Sequence, residues 1–234
     1  MVEKVYAIIP TMPSRRGVLL QAVSSLVDQV DKVIIYTTDT GTSALPFPCK
    51  EKIEIHLDGV DRGSANRFKA GGLKGYLAYC DDDLEYAPNY IYKLMDGVEK
   101  YGRKCVVGFH GRVLNPPLIS FCGVGPGRMR ACYPCLESVP MDAEVHMIGT
   151  GVMMYHSDTI QITELDLMHD NLDDAEFSII CQNRGIPLVV LAHYEIVKYL
   201  HPEGRTIFGD TMQNQRPLLD VINSHSWRLY GAAR

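Results

Sequence analysis

Three consecutive carboxylates, Asp81, Asp82 and Asp83, are the residues of this chain whose types and spacing most directly indicate chemistry. Neighbouring carboxylates repel one another, so a fold that holds them together is stabilised when they meet a cation. Because side chains alternate along an extended segment, we expect Asp81 and Asp83 to point the same way. That spacing suits one Mg²⁺ or Mn²⁺ ion carrying a nucleotide diphosphate. A solvated acidic turn that caps the next helix is the alternative.

The acidic triplet must be positioned by the strand that precedes it. Residues 76–80 are apolar or aromatic, which predicts a buried strand ending at the triplet. Residues 5–9 form a similar run that stops at Pro10, and helical periodicity over residues 18–30 leads to another strand at 32–36. This strand–helix–strand order is typical of a parallel sheet, whose ligands bind beyond the carboxyl ends of the strands.

The rest of the chain is predicted to continue as one α/β domain. The further predicted elements are a weak strand at 52–57, a helix at 88–101, strands at 105–109 and 151–155, a helix at 173–184 and a strand at 188–192. Residues 115–140 hold five prolines and three cysteines and are predicted to form a long loop or lid that a ligand closes. We therefore expect a donor-binding half at about residues 1–114, this loop at about 115–140, and an acceptor and catalytic half at about 141–234.

The loop region carries two further features. Cys132 and Cys135, with Cys122 nearby, have the spacing of half a zinc site, but no second pair completes it, which favours coincidental loop cysteines. Three arginines flank the loop and could steer a phosphorylated acceptor, with solvated surface charge as the favoured alternative. They are Arg112, Arg128 and Arg130.

Composition limits the class of protein. The 234 residues are 46% hydrophobic and 22% charged, which predicts an ordinary globular domain. A formal charge of −5 argues against a general binder of nucleic-acid backbones, although it leaves a local basic groove open. The chain has neither a signal-peptide pattern nor an apolar run of about 18 residues, so we expect a cytoplasmic protein without stable membrane insertion. Its seven cysteines are expected to be reduced thiols.

Eight short motifs, taken in order, resemble family 2-like glycosyltransferases with the GT-A fold over about residues 5–201. They are residues 10–15 (PTMPSR), 24–31 (SSLVDQVD), 61–68 (DRGSANRF), 75–83 (GYLAYCDDD), 106–111 (VVGFHG), 149–151 (GTG), 171–177 (NLDDAEF) and 182–187 (QNRGIP). The resemblance implies a single GT-A domain, with a mixed, mostly parallel sheet flanked by helices and a loop-rich acceptor side. It also implies a metal-dependent, inverting glycosyltransferase that uses a nucleotide-sugar donor.

The resemblance assigns roles residue by residue. The donor-binding set that it implies is Pro10, Thr11, Arg15, Asp39, Asp61, Arg67, Asp81 and Asp82. It implies Asp83 and His201 as metal ligands, with Mn²⁺ or Mg²⁺ as the cofactor. Asp174 is the expected general base and Asp173 the second candidate, although an Asp at a helix N-terminus is also an ordinary cap. The expected donor is a UDP-sugar, and the expected acceptor is a glycan, a wall polymer or a small molecule, with modified DNA also possible.

Other functions remain open at this stage. One is a transferase that glycosylates a hydroxylated nucleic-acid base, as in modified phage-type DNA. A more distant one is a metal-dependent phospho- or nucleotidyltransferase that uses the same triplet. That function predicts a Gly-rich or Lys-centred phosphate loop, and no such loop follows the first strand. A non-catalytic sugar-binding protein is disfavoured by the acidic residues at 173, 174 and 176.

Overall fold

The computed structural model describes residues 3–202 and 206–233. Within those ranges there are thirteen strands and five α-helices. The strands are β1 (Val5–Thr11), β2 (Lys32–Thr37), β3 (Ile53–Leu57), β4 (Tyr76–Cys80), β5 (Leu84–Tyr86), β6 (Val106–Gly108), β7 (Gly111–Val113), β8 (Ala131–Tyr133), β9 (Ala143–Val145), β10 (Met147–Ile148), β11 (Val152–His156), β12 (Leu188–Val190) and β13 (Val197–Tyr199). The helices are α1 (Arg16–Leu26), α2 (Tyr90–Lys100), α3 (Asp173–Asn183), α4 (Ile207–Gln213) and α5 (Arg216–Asn223).

Eight strands form the central sheet, in the order β3-β2-β1-β4-β11-β6-β12-β9. The first four strands of that order are mutually parallel, and β6 and β12 are also parallel to each other. Strand β11 is antiparallel to both of its neighbours, and β9 is antiparallel to β12. The predicted mixed, mostly parallel sheet is therefore confirmed.

Helices cover both faces of this sheet because its central strands are apolar on both sides. Ala7 and Ile9 of β1 pack in the core cluster that includes α1 and α2, whereas Ile8 packs in the cluster on the opposite face. Phe68, in a 3-10 helix at Gly63–Ala70, and Phe177 of α3 belong to that second cluster. Strands buried on both faces are expected to be continuously hydrophobic, as β1 is.

The chain order of the strands reverses beside β1. From β1 the chain continues to β2 and β3 on one side and returns to β4 on the other. A crevice opens at the carboxyl ends of the strands at such a switch point, and ligands of open α/β sheets bind there. Thr11 ends β1 and Asp81 directly follows β4, so both residues lie at this crevice.

Several predicted elements have different bounds in the structure. Strand β1 continues through Pro10 to Thr11, since its pairing with β2 runs to Thr11, whereas its pairing with β4 ends at Ile8. The predicted helix over residues 18–30 is α1 followed by a 3-10 turn at Val27–Gln29. Strand β4 has the predicted bounds.

The region at 115–140, predicted to be a long loop, contains a strand. Strand β8 pairs with β7, and β7 also pairs with β10, which makes a three-stranded sheet beside the central one. Strands of two or three residues that lie outside an apolar run give no periodicity that a sequence pattern could reveal. No helix in the described part of the chain is both long enough and apolar enough to cross a membrane.

Candidate functional site

A cavity of about 410 Å³ occupies the crevice between β1 and β4. It is lined by Pro10, Thr11, Met12, Arg15, Asp61, Gly63, Ser64, Arg67, Asp81, Asp82, Asp83, Leu136, Tyr199, Thr206 and Ile207. Most of these residues come from the loops at the carboxyl ends of the parallel strands. The structure therefore brings seven of the eight residues of the predicted donor-binding set to one cavity, together with Asp83.

Residues that follow β1 hold two carboxylates of the triplet. The Thr11 hydroxyl donates to Asp82 Oδ2 over 2.6 Å, and Arg15 Nη1 donates to Asp83 Oδ2 over 3.0 Å. Burial raises the pKa of Asp82 to about 7 and the pKa of Asp83 to about 6, and the neighbouring carboxylates add to both shifts. The charged forms of these two groups are thus disfavoured unless positive charge joins them.

The triplet forms a turn between β4 and β5, so the expected extended conformation is wrong. The turn is stabilised by Tyr86, whose hydroxyl donates to the Asp81 carbonyl and accepts from the Asp81 N–H. Asp81 and Asp83 nevertheless both line a second cavity that Asp82 does not reach.

Gly151 lets the Asp81 carboxylate lie against the backbone of the next strand. The Asp81 N–H donates to the Gly151 carbonyl over 3.0 Å, and a β-carbon at position 151 would overlap Asp81 Oδ2. The φ of Gly151 is not positive, so close approach is what requires glycine there.

Arg67 joins the triplet to the start of α3. Its Nη2 donates to Asp81 Oδ1 over 2.8 Å, its Nε donates to the Ser64 carbonyl over 3.0 Å, and Nε lies 3.4 Å from Asp173 Oδ2. The residue is 3% exposed, and its Nη1 has no hydrogen-bond partner among the residues described. Burial lowers the pKa of Arg67, but the carboxylates of Asp81 and Asp173 raise it more, so the guanidinium stays charged.

The second cavity adjoins the first and has a volume of about 560 Å³. The two share a wall made by Ser64, Arg67, Asp81, Asp83, Leu136, Tyr199 and Ile207. The other residues that line the second cavity are Leu84, His110, Arg112, Phe121, Cys132, Cys135, Met147, Gly149, Thr150, Gly151, Val152, Asn171, Leu172, Asp173, Asp174, Ala175, Thr211 and Leu218.

Asp173 and Asp174 begin α3 and face this cavity in different ways. Asp173 accepts hydrogen bonds from the Ser64 hydroxyl and, over 2.6 Å, from the Thr150 hydroxyl, and it also contacts Arg67. Asp174 Oδ1 accepts from the Thr150 N–H over 2.7 Å and lies 2.8 Å from the Thr150 hydroxyl oxygen. The one hydroxyl proton of Thr150 cannot serve both carboxylates. Burial and the charge of Asp173 raise the pKa of Asp174 to about 6.

Two predicted site residues lie outside both cavities. Asp39 forms an ion pair with Arg16 and caps the turn at Thr40–Ala44, accepting from the Gly41 N–H over 3.0 Å. Arg16 is the main reason that the pKa of Asp39 is lowered to about 2. His201 is exposed and packs edge-on against Tyr199, and it lines neither cavity. The described residues contain no group of three or more His, Cys, Asp or Glu side chains placed to hold a metal ion.

The sequence analysis did not predict that the last two helices line part of the second cavity. Thr211 of α4 and Leu218 of α5 line it, and Leu218 packs in a small core with Phe121 and Met147. Helix α5 is strongly amphipathic in its order of residues, and that periodicity could have indicated it. Arg112, expected to be surface charge, is buried in this cavity.

Comparison with known proteins identifies the fold. No protein-family model matches the chain, and no curated protein matches it significantly. The structure is similar to that of CMP:2-keto-3-deoxy-manno-octonic acid synthetase complexed with CTP, with a TM-score of 0.52 and 12% sequence identity. The match covers 94% of this chain and 99% of that one. This likeness supports the predicted fold, a GT-A-like mixed α/β domain.

The same comparison corrects the predicted activity. The similar structure belongs to a nucleotidyltransferase, so the GT-A-like fold does not by itself indicate transfer of a sugar. The prediction of a glycosyltransferase is wrong on this finding, and membership of glycosyltransferase family 2 is not confirmed. The expected UDP-sugar donor and the expected acceptors are likewise unsupported.

Proposed function

We propose that this chain is a nucleotidyltransferase that binds a nucleoside triphosphate in the first cavity and an acceptor hydroxyl in the second. The observation that carries the proposal is the shared wall, where Arg67, Asp81 and Asp83 face both cavities. Because these residues border both cavities, a group bound in one cavity could react beside them with a group bound in the other. The similar synthetase, whose structure contains CTP, makes a cytidine nucleotide the first candidate.

The first cavity offers positive charge for phosphates without a glycine-rich loop. Arg15 and Arg67 are both buried and both line it. A 3-10 turn at Pro13–Arg15 leads directly into α1 beside this cavity, and no side chain caps the start of either helix. The N–H groups of an uncapped first turn favour phosphate oxygens. These features supply what a Lys-centred phosphate loop would otherwise provide.

The acidic triplet fits a divalent cation through the chemistry of its donors. Carboxylate oxygens are the ligands that Mg²⁺ and Mn²⁺ prefer, and the raised pKa values of Asp82 and Asp83 mean that a cation would stabilise their charged forms. Asp81 and Asp83 would hold the ion, which would complete its coordination with phosphate oxygens and water. When bound, it would neutralise charge on the triphosphate and on the departing pyrophosphate.

Asp174 is the proposed base for the acceptor. The acceptor oxygen attacks the α-phosphorus, the bond from that phosphorus to the bridging oxygen breaks, and pyrophosphate leaves. The hydroxyl proton passes to Asp174, whose two contacts with Thr150 both fall on Oδ1. Asp173 is instead engaged by Ser64, Thr150 and Arg67, so we assign it to positioning Arg67.

Nucleotide binding tests the first step of this proposal. Calorimetry with CTP, UTP, ATP and GTP, each with and without Mg²⁺, should find one triphosphate whose binding strengthens when Mg²⁺ is present. Asp83→Asn should remove most of the Mg²⁺ effect, whereas the matched Asp96→Asn change, on the exposed surface of α2, should leave it intact. Binding of none of the triphosphates, or equal loss in both variants, would contradict the proposed site.

A further inference from the structure

Arg112 is a buried arginine on the floor of the second cavity. It lies in the middle of β7, directly across from Met147 of β10 and Cys132 of β8. Cross-strand partners project from the same face of a sheet, and all three residues line the cavity. The small three-stranded sheet therefore presents Arg112 to the cavity from a rigid element.

The charge of Arg112 lacks a matching anion. The residue is 9% exposed, and its guanidinium stacks over the Phe121 ring with 4.7 Å from Cζ to the ring centre. Its Nε has no hydrogen-bond partner, and no carboxylate oxygen lies within salt-bridge distance of it, among residues 3–202 and 206–233. Its side chain interacts with the neutral Cys132 thiol, which does not balance the charge. A buried cation without an ion-pair partner is unfavourable, and a bound anion would remove that penalty.

The two thiols and the imidazole beside Arg112 do not supply that anion at neutral pH. Burial raises the pKa of the Cys135 thiol to about 12 and also raises the pKa of the Cys132 thiol, so both stay neutral. Burial and the positive charge of Arg112 lower the pKa of His110 to about 3, so this ring is neutral too. Asp174 lines the same cavity and interacts electrostatically with Arg112, but burial and Asp173 raise its pKa to about 6, and among the described residues it forms no ion pair with Arg112.

We propose that the second cavity binds an anionic acceptor, a hydroxyl compound that bears a carboxylate or a phosphate, with Arg112 as the anchor for the anion. The Nε–H of Arg112 donates to the anion, and the acceptor hydroxyl extends toward Asp174. The identity of this ligand as an acceptor rests on the proposed function, whereas the anion site itself does not. Arg112 is therefore a specificity-determining residue of the second cavity.

Three probes of similar size separate the effect of ligand charge on affinity from the effect of ligand shape. They are glucose, gluconate and glucose 6-phosphate. Titrated into the wild-type protein and followed by calorimetry, one of the two anions should bind about 10- to 100-fold more tightly than glucose. The gluconate and glucose 6-phosphate arms show whether the site selects a carboxylate or a phosphate. Arg112→Gln should abolish the preference for the anion. Arg130→Gln, which changes an exposed arginine in the region at 115–140, should keep it.

A spectroscopic measurement on the wild-type protein tests the anion site even if Arg112→Gln does not fold. In the wild-type protein, the Nε–H resonance of Arg112, assigned by its loss in Arg112→Lys, should shift as the preferred anion is added. Equal affinity for the three probes, a preference that survives Arg112→Gln, or an unmoved Nε–H resonance would overturn the anion site. Anion binding that depends on Arg112 in a protein that binds no nucleotide would leave the anion site standing and remove the proposed function.

Discussion

Arg67 is the residue on which both cavities depend. It is nearly inaccessible to solvent, and its guanidinium contacts Asp81 on one side and Asp173 on the other. Removal of one partner from a buried ion pair leaves the other partner's charge uncompensated, which is more costly than the pair itself is favourable. The residue thus serves stability and proposed phosphate binding together.

We expect Arg67→Met to lower the free energy of unfolding by about 3 kcal/mol or more, because it leaves Asp173 buried without its cation. Urea denaturation measures this. Arg184→Met, which removes an exposed arginine that donates to the Gln161 carbonyl, is the control and should change stability by about 0.5 kcal/mol or less. Similar small losses in both variants would show that Arg67 does not balance these carboxylates.

Gly151 tests the placement of Asp81 without changing any charge. Because a β-carbon at position 151 would overlap the Asp81 carboxylate, Gly151→Ala should displace that carboxylate and weaken the Mg²⁺-dependent nucleotide binding by about tenfold or more. Gly72→Ala, where a β-carbon meets no atom within 4 Å, should bind nucleotide as the parent does. Unchanged binding by Gly151→Ala would mean that Asp81 takes no part in the site.

At the scale of elements, the start of α3 carries the proposed base. Asp174 acts as a base only when it is deprotonated, and its pKa is raised to about 6. At saturating Mg²⁺ and nucleotide, which hold Asp83 in its charged form, the rate of nucleotidyl transfer should therefore rise with pH through about pH 6 and then level off. A base at this position contributes about 10²- to 10⁴-fold to the rate.

Asp174→Asn should lower kcat by about 10²-fold or more, keep the KM for the nucleotide, and lose the rise in rate near pH 6. Steady-state release of pyrophosphate across pH 5 to 8 gives all three readouts. Asp170→Asn, a change at an exposed acid three residues before α3 that pairs with Arg62, should keep the parent profile. A rate that still rises near pH 6 in Asp174→Asn would assign the titrating group elsewhere.

Elements that lie in apolar or periodic runs of about five residues or more were predictable from the sequence, and short strands outside such runs were not. Strand β4 and helix α3 were predicted to within a residue, because five or more apolar or periodic positions define each. Strands β7, β8 and β10 have two or three residues each, so their pairing is set by contacts between distant parts of the chain. The burial of Arg112 follows from that pairing, which is why the sequence suggested surface charge there.

The same distinction applies to the site residues. Thr11 ends β1, Arg15 lies in the segment after β1, and the acidic triplet directly follows β4. These two strands meet at the crevice, so the proximity of these residues was predictable from their positions at strand ends. Asp39 also follows a strand, but its carboxylate is used locally, by Arg16 and by the turn that it caps. A local sequence motif does not reveal whether a carboxylate accepts hydrogen bonds within its own turn or is available to a ligand.

At the scale of the whole molecule, the fold was predicted and the reaction was not. The GT-A-like sheet is shared with a nucleotidyltransferase at 12% identity, so the fold leaves open which bond is broken. What decides the reaction is the chemistry that the two joined cavities place together, and this depends on residues from β1 through α5.

The clustered carboxylates also affect the stability of the whole molecule. The folded-state pKa of Asp82 is raised to about 7, so between its unfolded pKa and pH 7 the folded protein binds more protons than the unfolded chain does. The contribution of Asp82 to the free energy of unfolding therefore falls as pH rises through this window. The buried His110, whose pKa is lowered to about 3, acts in the opposite direction, so a comparison between variants is needed.

Asp82→Asn removes the contribution of Asp82, so its advantage in stability over the parent should grow between pH 4 and pH 7.5, reaching about 1–2 kcal/mol. Urea denaturation of both proteins at several pH values, without divalent cations, measures the difference. Saturating Mg²⁺ with nucleotide should reduce it, because a bound cation stabilises the charged carboxylate in the parent. A difference that is constant with pH would show that Asp82 titrates normally.

The most direct test of the central claim is phosphorus NMR of the bound nucleoside triphosphate, with Mg²⁺, as it reacts in the presence of gluconate or glucose 6-phosphate. The account predicts cleavage between the α- and β-phosphates, seen as pyrophosphate together with a nucleoside monophosphate or its ester with the acceptor, and loss of both signals in Asp83→Asn. Formation of a nucleoside diphosphate and inorganic phosphate, or a triphosphate that binds and stays intact with every acceptor, would contradict nucleotidyl transfer at this site.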